Sequence, residues 1–308
     1  MTSEHQVQMD FGVARRKAFW HEILSLLSGR QNRLLSWDEV RGKLGIYGQA
    51  YRGIHAVPVA KIIGSVGRYR DFDRVFLPTQ VRTAHRWRSI ARAYYDDVSL
   101  PPVKLYKVGD AYFVLDGNHR VSVAREQGMQ FVDAEVIEAR SRVPVTAELD
   151  AGDLEIKGEY ARFLERTRLD ELRPGQAIEF TIGGGYERLL EHIAVHRYFM
   201  GLERQHHIPE DEAVCDWYDH VYLPLVHIIR DREVLADFPG RTEADLYLWI
   251  MDHQHYLRER FGSGVMAEQA AEHFADHYTT QPVKRVIRAV RNLVAGQKEE
   301  FSTDVAHD

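Results

Sequence analysis

The stretch LDGNHRVSVAREQG, residues 115–128, places Asp116, Gly117, Asn118, His119 and Arg120 where a strand pattern stops and a helix pattern begins. A strand that turns through Asp-Gly straight into a helix points unpaired backbone N–H groups, and the positive end of the helix dipole, at whatever lies in front of it. Such a terminus attracts anions. His119 and Arg120 would add side-chain donors, and an arginine can hold two phosphate oxygens at once. Gly117 would let the backbone come close, while Asp116 would orient His119, accept a hydroxyl or bind Mg²⁺ through water. A plain turn capped by Asp116 or Asn118, with Arg120 in a surface ion pair, explains the same letters without a ligand.

The charge distribution favours the same half of the chain for an anionic ligand. Residues 1–150 carry 22 Lys/Arg against 17 Asp/Glu, a net of +5, whereas residues 151–308 carry 18 against 29, a net of −11. The densest basic stretch is GRYRDFDRVFLPTQVRTAHRWRSIAR, with Arg68, Arg70, Arg74, Arg82, Arg86, Arg88 and Arg92. It reads either as a phosphate-facing surface or as a solvated helix face with a loop. His192 and His196 stand four apart on one predicted helix beside Glu191, a spacing that metal pairs use, but no cysteine or His-Glu-x-x-His arrangement completes a site. Trp217, Tyr218, Tyr222, Tyr247, Trp249 and Tyr256 are aromatic residues that could stack on bases, although helical spacing equally suits a core, and the −11 charge opposes a phosphate grip. The single Cys215 excludes an internal disulfide and reads as core filler.

The elements that must position the cluster are legible. PPVKLYKVGDAYFVLDG is two β-rich runs around Gly109-Asp110, a hairpin, and it delivers the cluster to a helix from Asn118 to Gln127 that Gly128 ends. FVDAEVIEA returns as a strand, GIHAVPVAKIIGSVGR reads as a strand and glycine-punctuated turn, and TQVRTAHRWRSIARAYYDD reads as a helix. In FGVARRKAFWHEILSLLSGR, apolar Phe11, Val13 and Ala14 are followed by Phe19, Trp20, Ile23, Leu24 and Leu27 at helical spacing, and Ser36 before Trp37, Asp38 and Glu39 has the layout of a capping box. From about residue 151 the pattern turns to helices, ending with VKRVIRAVRNLVAG. Thr242 and Asp245 in FPGRTEADLYLW fit an N-cap and its returning acid, leaving Arg241 spare.

The box, its hairpin PPVKLYKVGDAYFV and the following FVDAEVIE together resemble the core of the ParB/sulfiredoxin superfamily, over residues of roughly 53 to 140. In ParB proteins the equivalent box resembles Gly-Glu-Arg-Arg, and Gly117, Asn118, His119 and Arg120 occupy it here. The Asp-Gly-His-His-Arg box of ParB-like free-serine kinases is matched at Asp116, Gly117, His119 and Arg120. Asn118 stands where sulfiredoxins carry their cysteine, so sulfiredoxin activity is not expected. AVPVAKIIGSVGRYRDFDRVF resembles the first strand and arginine loop of ParB-like domains, which implies Arg68 or Arg70 on the phosphates and Asp71 or Asp73 on a metal or as a base. Neither an Asn-x-x-Arg box nor a helix-turn-helix follows. The segment from Trp217 to Leu257 resembles a helical bacterial domain of unknown function that accompanies ParB-like domains.

The expectation is an α+β protein: an N-terminal helical extension at 1–50, a ParB/sulfiredoxin-like α/β domain with a small mixed sheet at 51–145, an all-helical domain at 150–298 and a disordered tail at 299–308. The resemblance implies a nucleoside di- or triphosphate (ATP, ADP or CTP) with Mg²⁺ at Gly117, Asn118, His119, Arg120, Arg68 and Arg70, with Asp116, Asp71 and Asp73 serving metal or catalysis, as in a regulatory NTPase or a phosphotransferase. The rivals are a DNA-binding transcription or partition-type regulator that uses Arg82, Arg86, Arg88 and Arg92, and a nuclease or small-molecule kinase on the same site. No stretch approaches the ~20 apolar residues of a membrane span and the start lacks a signal-peptide layout, so a cytoplasmic protein without a membrane partner is expected, with a homodimer left open.

Overall fold

The computed structural model describes residues 3–28 and 32–261, together with 266, 269–271, 273 and 274. The helix expected over VKRVIRAVRNLVAG and the tail at 299–308 lie outside the described residues. Two compact units, Met1–Arg166 and Thr167–Asp308, make up the chain.

The first unit is mixed α/β. In chain order it contains α1 (Ser3–Ser28), β1 (Leu35–Ser36), α2 (Trp37–Leu44), β2 (Tyr47–Pro58), β3 (Ile62–Ser65), α3 (Ala84–Tyr95), β4 (Val103–Val108), β5 (Ala111–Asp116), α4 (Asn118–Glu126), β6 (Phe131–Arg140) and α5 (Ala151–Thr167). The six strands lie in the order β1-β3-β5-β4-β6-β2. β4 and β5 form the expected antiparallel hairpin, while β3 runs parallel to β5 and β4 parallel to β6. Period-two spacing puts Val132, Ala134 and Val136 of β6 on one face, where they meet Val103, Leu105, Val114 and, from α4, Val121 and Ala124. Arg125 fastens α4 to the sheet by donating to the carbonyls of Val59 (2.8 Å) and Ile62 (2.6 Å).

Two local expectations are corrected. In α1 the expected Phe11 and Ala14 are buried, with Val7 and Ala18 beside them, packed on Trp87 and Ala91 of α3, whereas Phe19, Trp20 and Leu24 of the same apolar pattern are exposed. The small residues at 14 and 18 let α1 approach α3 closely, and that contact overrides the larger apolar run. Ser36 precedes α2 without any side-chain cap, because it pairs with Ser65 as the last residue of β1, and Glu39 turns to Lys43 instead. Residues 1–50 thus supply a strand and two helices to the same unit as the sheet.

The second unit is helical among its described residues: α6 (Leu169–Leu172), α7 (Gly185–Arg204), α8 (Glu210–Trp217), a π turn at Tyr218–Tyr222, α9 (Leu223–Asp231) and α10 (Glu243–Phe261). The aromatic residues Trp217, Tyr218, Tyr222 and Tyr247 are buried, with Trp217 Nε1 donating to the Tyr247 hydroxyl at 3.2 Å, so they build this core. Tyr256 remains exposed. Thr242 and Asp245 do form a reciprocal cap, Thr242 N donating to Asp245 Oδ2 (2.9 Å) and Asp245 N to Thr242 Oγ1 (3.3 Å). Arg241 is not spare: it donates to Thr181 Oγ1 at 2.9 Å and lies over the Trp249 ring. No helix among the described residues is long and apolar enough to cross a membrane.

Two substitutions check this packing. A Cβ on Gly64 would stand 2.4 Å from the Phe113 ring and 2.5 Å from the Leu35 carbonyl oxygen, so Gly64→Ala should cost about 1–3 kcal/mol in urea unfolding. Asp245 is buried and accepts from Thr181 N, Thr181 Oγ1 and Thr242 N, so Asp245→Ala removes three hydrogen bonds to a carboxylate and should destabilise the second unit by about 1–3 kcal/mol. Wild-type denaturation midpoints in both variants would contradict the packing described.

Candidate functional site

Because β3 and β5 are parallel neighbours, their carboxyl ends finish side by side, and the segment after Ser65 lies against the turn after Asp116. Gly117 makes that turn with φ of 108°, and a side chain there would meet Val103 at 2.7 Å. α4 begins at once, with no side chain capping it. Its first backbone bond is Val121 N to Gly117 O at 3.0 Å, so the N–H groups of Asn118, His119 and Arg120 precede the helical ladder. The cap expected from Asp116 or Asn118 is absent, since Asp116 takes an ion pair from Arg120 and Asn118 Nδ2 donates to Gly67 O at 3.3 Å.

These groups line a cleft of about 250 Å³ bounded by Gly67, Arg68, Arg86, Ile90, Leu115 and residues 116–120. His119 is 6 % exposed, stands edge-on to Phe72 and has neither ring nitrogen hydrogen-bonded, although both are buried. Burial, reinforced by the charges of Arg68 and Arg86 and opposed by Asp71, lowers its pKa from 6.5 to about 4. His119 is therefore neutral at pH 7, with one N–H to give and one lone pair to accept. Asn118 Oδ1 is likewise buried without a partner.

The arginines divide sharply. Arg120 is held in place, donating to the carbonyls of Pro101 and Pro102 and to Asp116, with its side chain only 12 % exposed. Its ion pair is the one the plain-turn account foresees, and it fixes the loop before β4 against the box. Arg68 sits in the left-handed region at φ 56° and reaches Asp71 at 3.7 Å. Arg86 reaches the cleft from the first turns of α3 without an ion pair. Arg70 lies beside the Tyr69 ring, in an adjoining cleft with Arg68, Asp71 and Arg82.

Of the arginines expected on DNA, Arg82 pairs with Asp71, Arg88 Nε donates to Ala84 O at 3.2 Å and Arg92 pairs with Glu4 at 2.8 Å. Only Arg86 is turned to the cleft. Asp73 is structural: it accepts from Val75 N (3.0 Å), Leu77 N (2.8 Å) and His21 (3.2 Å), and burial raises its pKa. Asp71 and Asp73 stand outside the central cleft, and Asp116 is the carboxylate that lines it. A Mg²⁺ carried by phosphates needs only one or two protein carboxylates, and Asp116 could supply one. Among the described residues no group of three or more His, Cys, Asp or Glu is arranged to hold a metal by itself. His192 faces the Tyr247 hydroxyl at 3.3 Å and His196 pairs with Asp216 at 2.7 Å.

Sequence spacing missed Arg86 as a member of this cleft. Nothing near Arg86 in the chain marks it, because its place depends on α3 packing against α4. Neither a family model nor a curated protein matches the chain.

The folded ring of His119 has a pKa below the ordinary value, so the unfolded chain takes up the proton first. Its contribution therefore turns against the fold as pH falls from 6.5 through about 4. An NMR titration of the ligand-free protein should find the His119 midpoint near 4, and His119→Leu should flatten the stability profile across that window. A midpoint at the ordinary 6.5 would contradict a buried, unpaired ring.

Proposed function

We propose that the first unit binds the phosphates of a nucleoside di- or triphosphate, with Mg²⁺, at the turn between β5 and α4, in the manner of a ParB-like regulatory nucleotide-binding protein. The observation that carries this reading is His119: a ring buried with two unpartnered nitrogens, at an uncapped helix N-terminus, in a cleft that Arg68 and Arg86 also line. An unsatisfied buried polar group costs about 1–3 kcal/mol, and a turn of the ring that brings one of its closed-off nitrogens to a phosphate oxygen or hydroxyl in the cleft would return that energy on binding. In this reading the N–H groups of Asn118, His119 and Arg120 meet phosphate oxygens, Arg68 and Arg86 balance their charge, and Asp116 helps to hold Mg²⁺. Arg120 acts through position, keeping the turn and the Pro101–Pro102 loop in register.

This assignment fits the resemblance to ParB-like domains at Gly117, Asn118, His119 and Arg120 and moves the charge-balancing work to Arg68 and Arg86. The DNA-binding alternative draws less support, because Arg82, Arg88 and Arg92 are engaged within the unit. Isothermal titration with ATP, ADP, CTP and GTP, with and without Mg²⁺, tests the reading. At least one should bind, and Arg86→Ala or Arg68→Ala should each weaken binding by about tenfold or more, since a charge-assisted contact is worth about 1.5–3 kcal/mol. No binding by any of the four, or binding indifferent to both variants, would end it.

A further inference from the structure

The phosphate cleft has neighbours on both sides that differ in chemical character. On one side Arg68 is shared with the cleft formed by Tyr69, Arg70, Asp71 and Arg82. On the other, Arg120 is shared with a cleft of about 420 Å³ that runs along the end of α3, the loop before β4 and the start of β6. The first neighbour holds three arginines against one aspartate. The second holds no cation except Arg120, whose donors already serve Pro101, Pro102 and Asp116.

This second neighbour mixes apolar side chains with acidic ones. Val98, Met129 and Phe131 are 55 %, 38 % and 54 % exposed there, unusual for large apolar side chains gathered around one concavity. Asp97 and Asp133 stand beside them, and Asp97 is held at φ 53°, a conformation that a non-glycine residue adopts at a cost. The half-buried Tyr94 lies between the charges of Arg120 and Asp133 and adds a hydroxyl. Another phosphate would be repelled here. A flat, uncharged group with amino or hydroxyl donors would bury against Phe131 and Met129 and give its hydrogens to the two carboxylates.

Resting on the phosphate-binding reading above, we infer that the cleft between Tyr94 and Asp133 takes the nucleoside end of the ligand, base and ribose. The phosphate chain then runs from Arg120 across the α4 N-terminus toward Arg68 and Arg70. The volume falls in the ~300–1,000 Å³ range of small-molecule sites. The charge gradient along the three clefts, acidic to cationic, favours this orientation. A base with an exocyclic amino group, as in ATP or CTP, matches the acidic side chains.

The test compares tripolyphosphate, ATP and CTP by isothermal titration, each with Mg²⁺, on the full chain and on a Phe131→Ala plus Asp133→Asn variant. Both side chains are exposed and lie outside the box, so the fold should tolerate the change. Tripolyphosphate should bind both proteins within about twofold, while ATP or CTP should lose about tenfold or more in the variant, because base–aromatic stacking alone is worth about 1–3 kcal/mol. Equal losses for all ligands would assign the cleft to phosphate, and unchanged nucleotide binding would place the nucleoside elsewhere; either result overturns the inference while leaving the phosphate site standing. Failure of tripolyphosphate and nucleotides alike to bind the wild-type chain would remove both.

Discussion

The parallel pairing of β3 with β5 is the constraint on which the site depends. Two parallel strands in register end at the same edge, so the Gly67–Arg68 segment and the Gly117 turn become neighbours although they are far apart in the chain. Gly64 permits the arrangement, because any side chain at that position would collide with Phe113 of β5 and with the Leu35 carbonyl of β1. The antiparallel partner β4 then brings Pro101 and Pro102 to the far side of the turn, where Arg120 secures them. A short piece of backbone geometry thereby gathers three separate segments around one helix N-terminus.

Within that frame the arginines compete for partners. Asp71, buried, draws Arg82 closely and Arg68 more loosely, and Glu4 takes Arg92. Arg86 is left facing the cleft, next to an imidazole that its charge helps keep neutral. A neutral, buried, unbonded imidazole weakens the fold. The same low-dielectric setting strengthens any hydrogen bond a ligand would make to His119.

Much of the first unit was legible. The alternation in PPVKLYKVGDAYFVLDG, the Gly109-Asp110 turn and the helix from Asn118 depend on residues within a few positions of one another, and they appear where the pattern places them. The reciprocal cap of Thr242 and Asp245 was readable for the same reason. One misreading was local, since GIHAVPVAKIIGSVGR holds the end of β2 and all of β3 rather than a single strand, and two were tertiary. Phe19, Trp20 and Leu24 look like a core face, yet the closer fit of Ala14 and Ala18 against α3 turns them outward. Ser36 looks like a cap, yet pairing with β3 claims it for the sheet.

By itself, then, the sequence determined a strand–glycine–helix turn rich in phosphate-type donors, since φ/ψ preference and hydrophobic period act over a few residues. Only the tertiary structure decided which donors are free. Arg70, Arg82, Arg86, Arg88 and Arg92 are equivalent letters in one basic run, and their fates diverge with the carboxylate, carbonyl or ring each meets across the fold. Those partners come from α1, from the turn after β3 or from the preceding helical turn. An ion pair is set by a few ångströms of approach between elements, a distance that spacing along the chain does not encode.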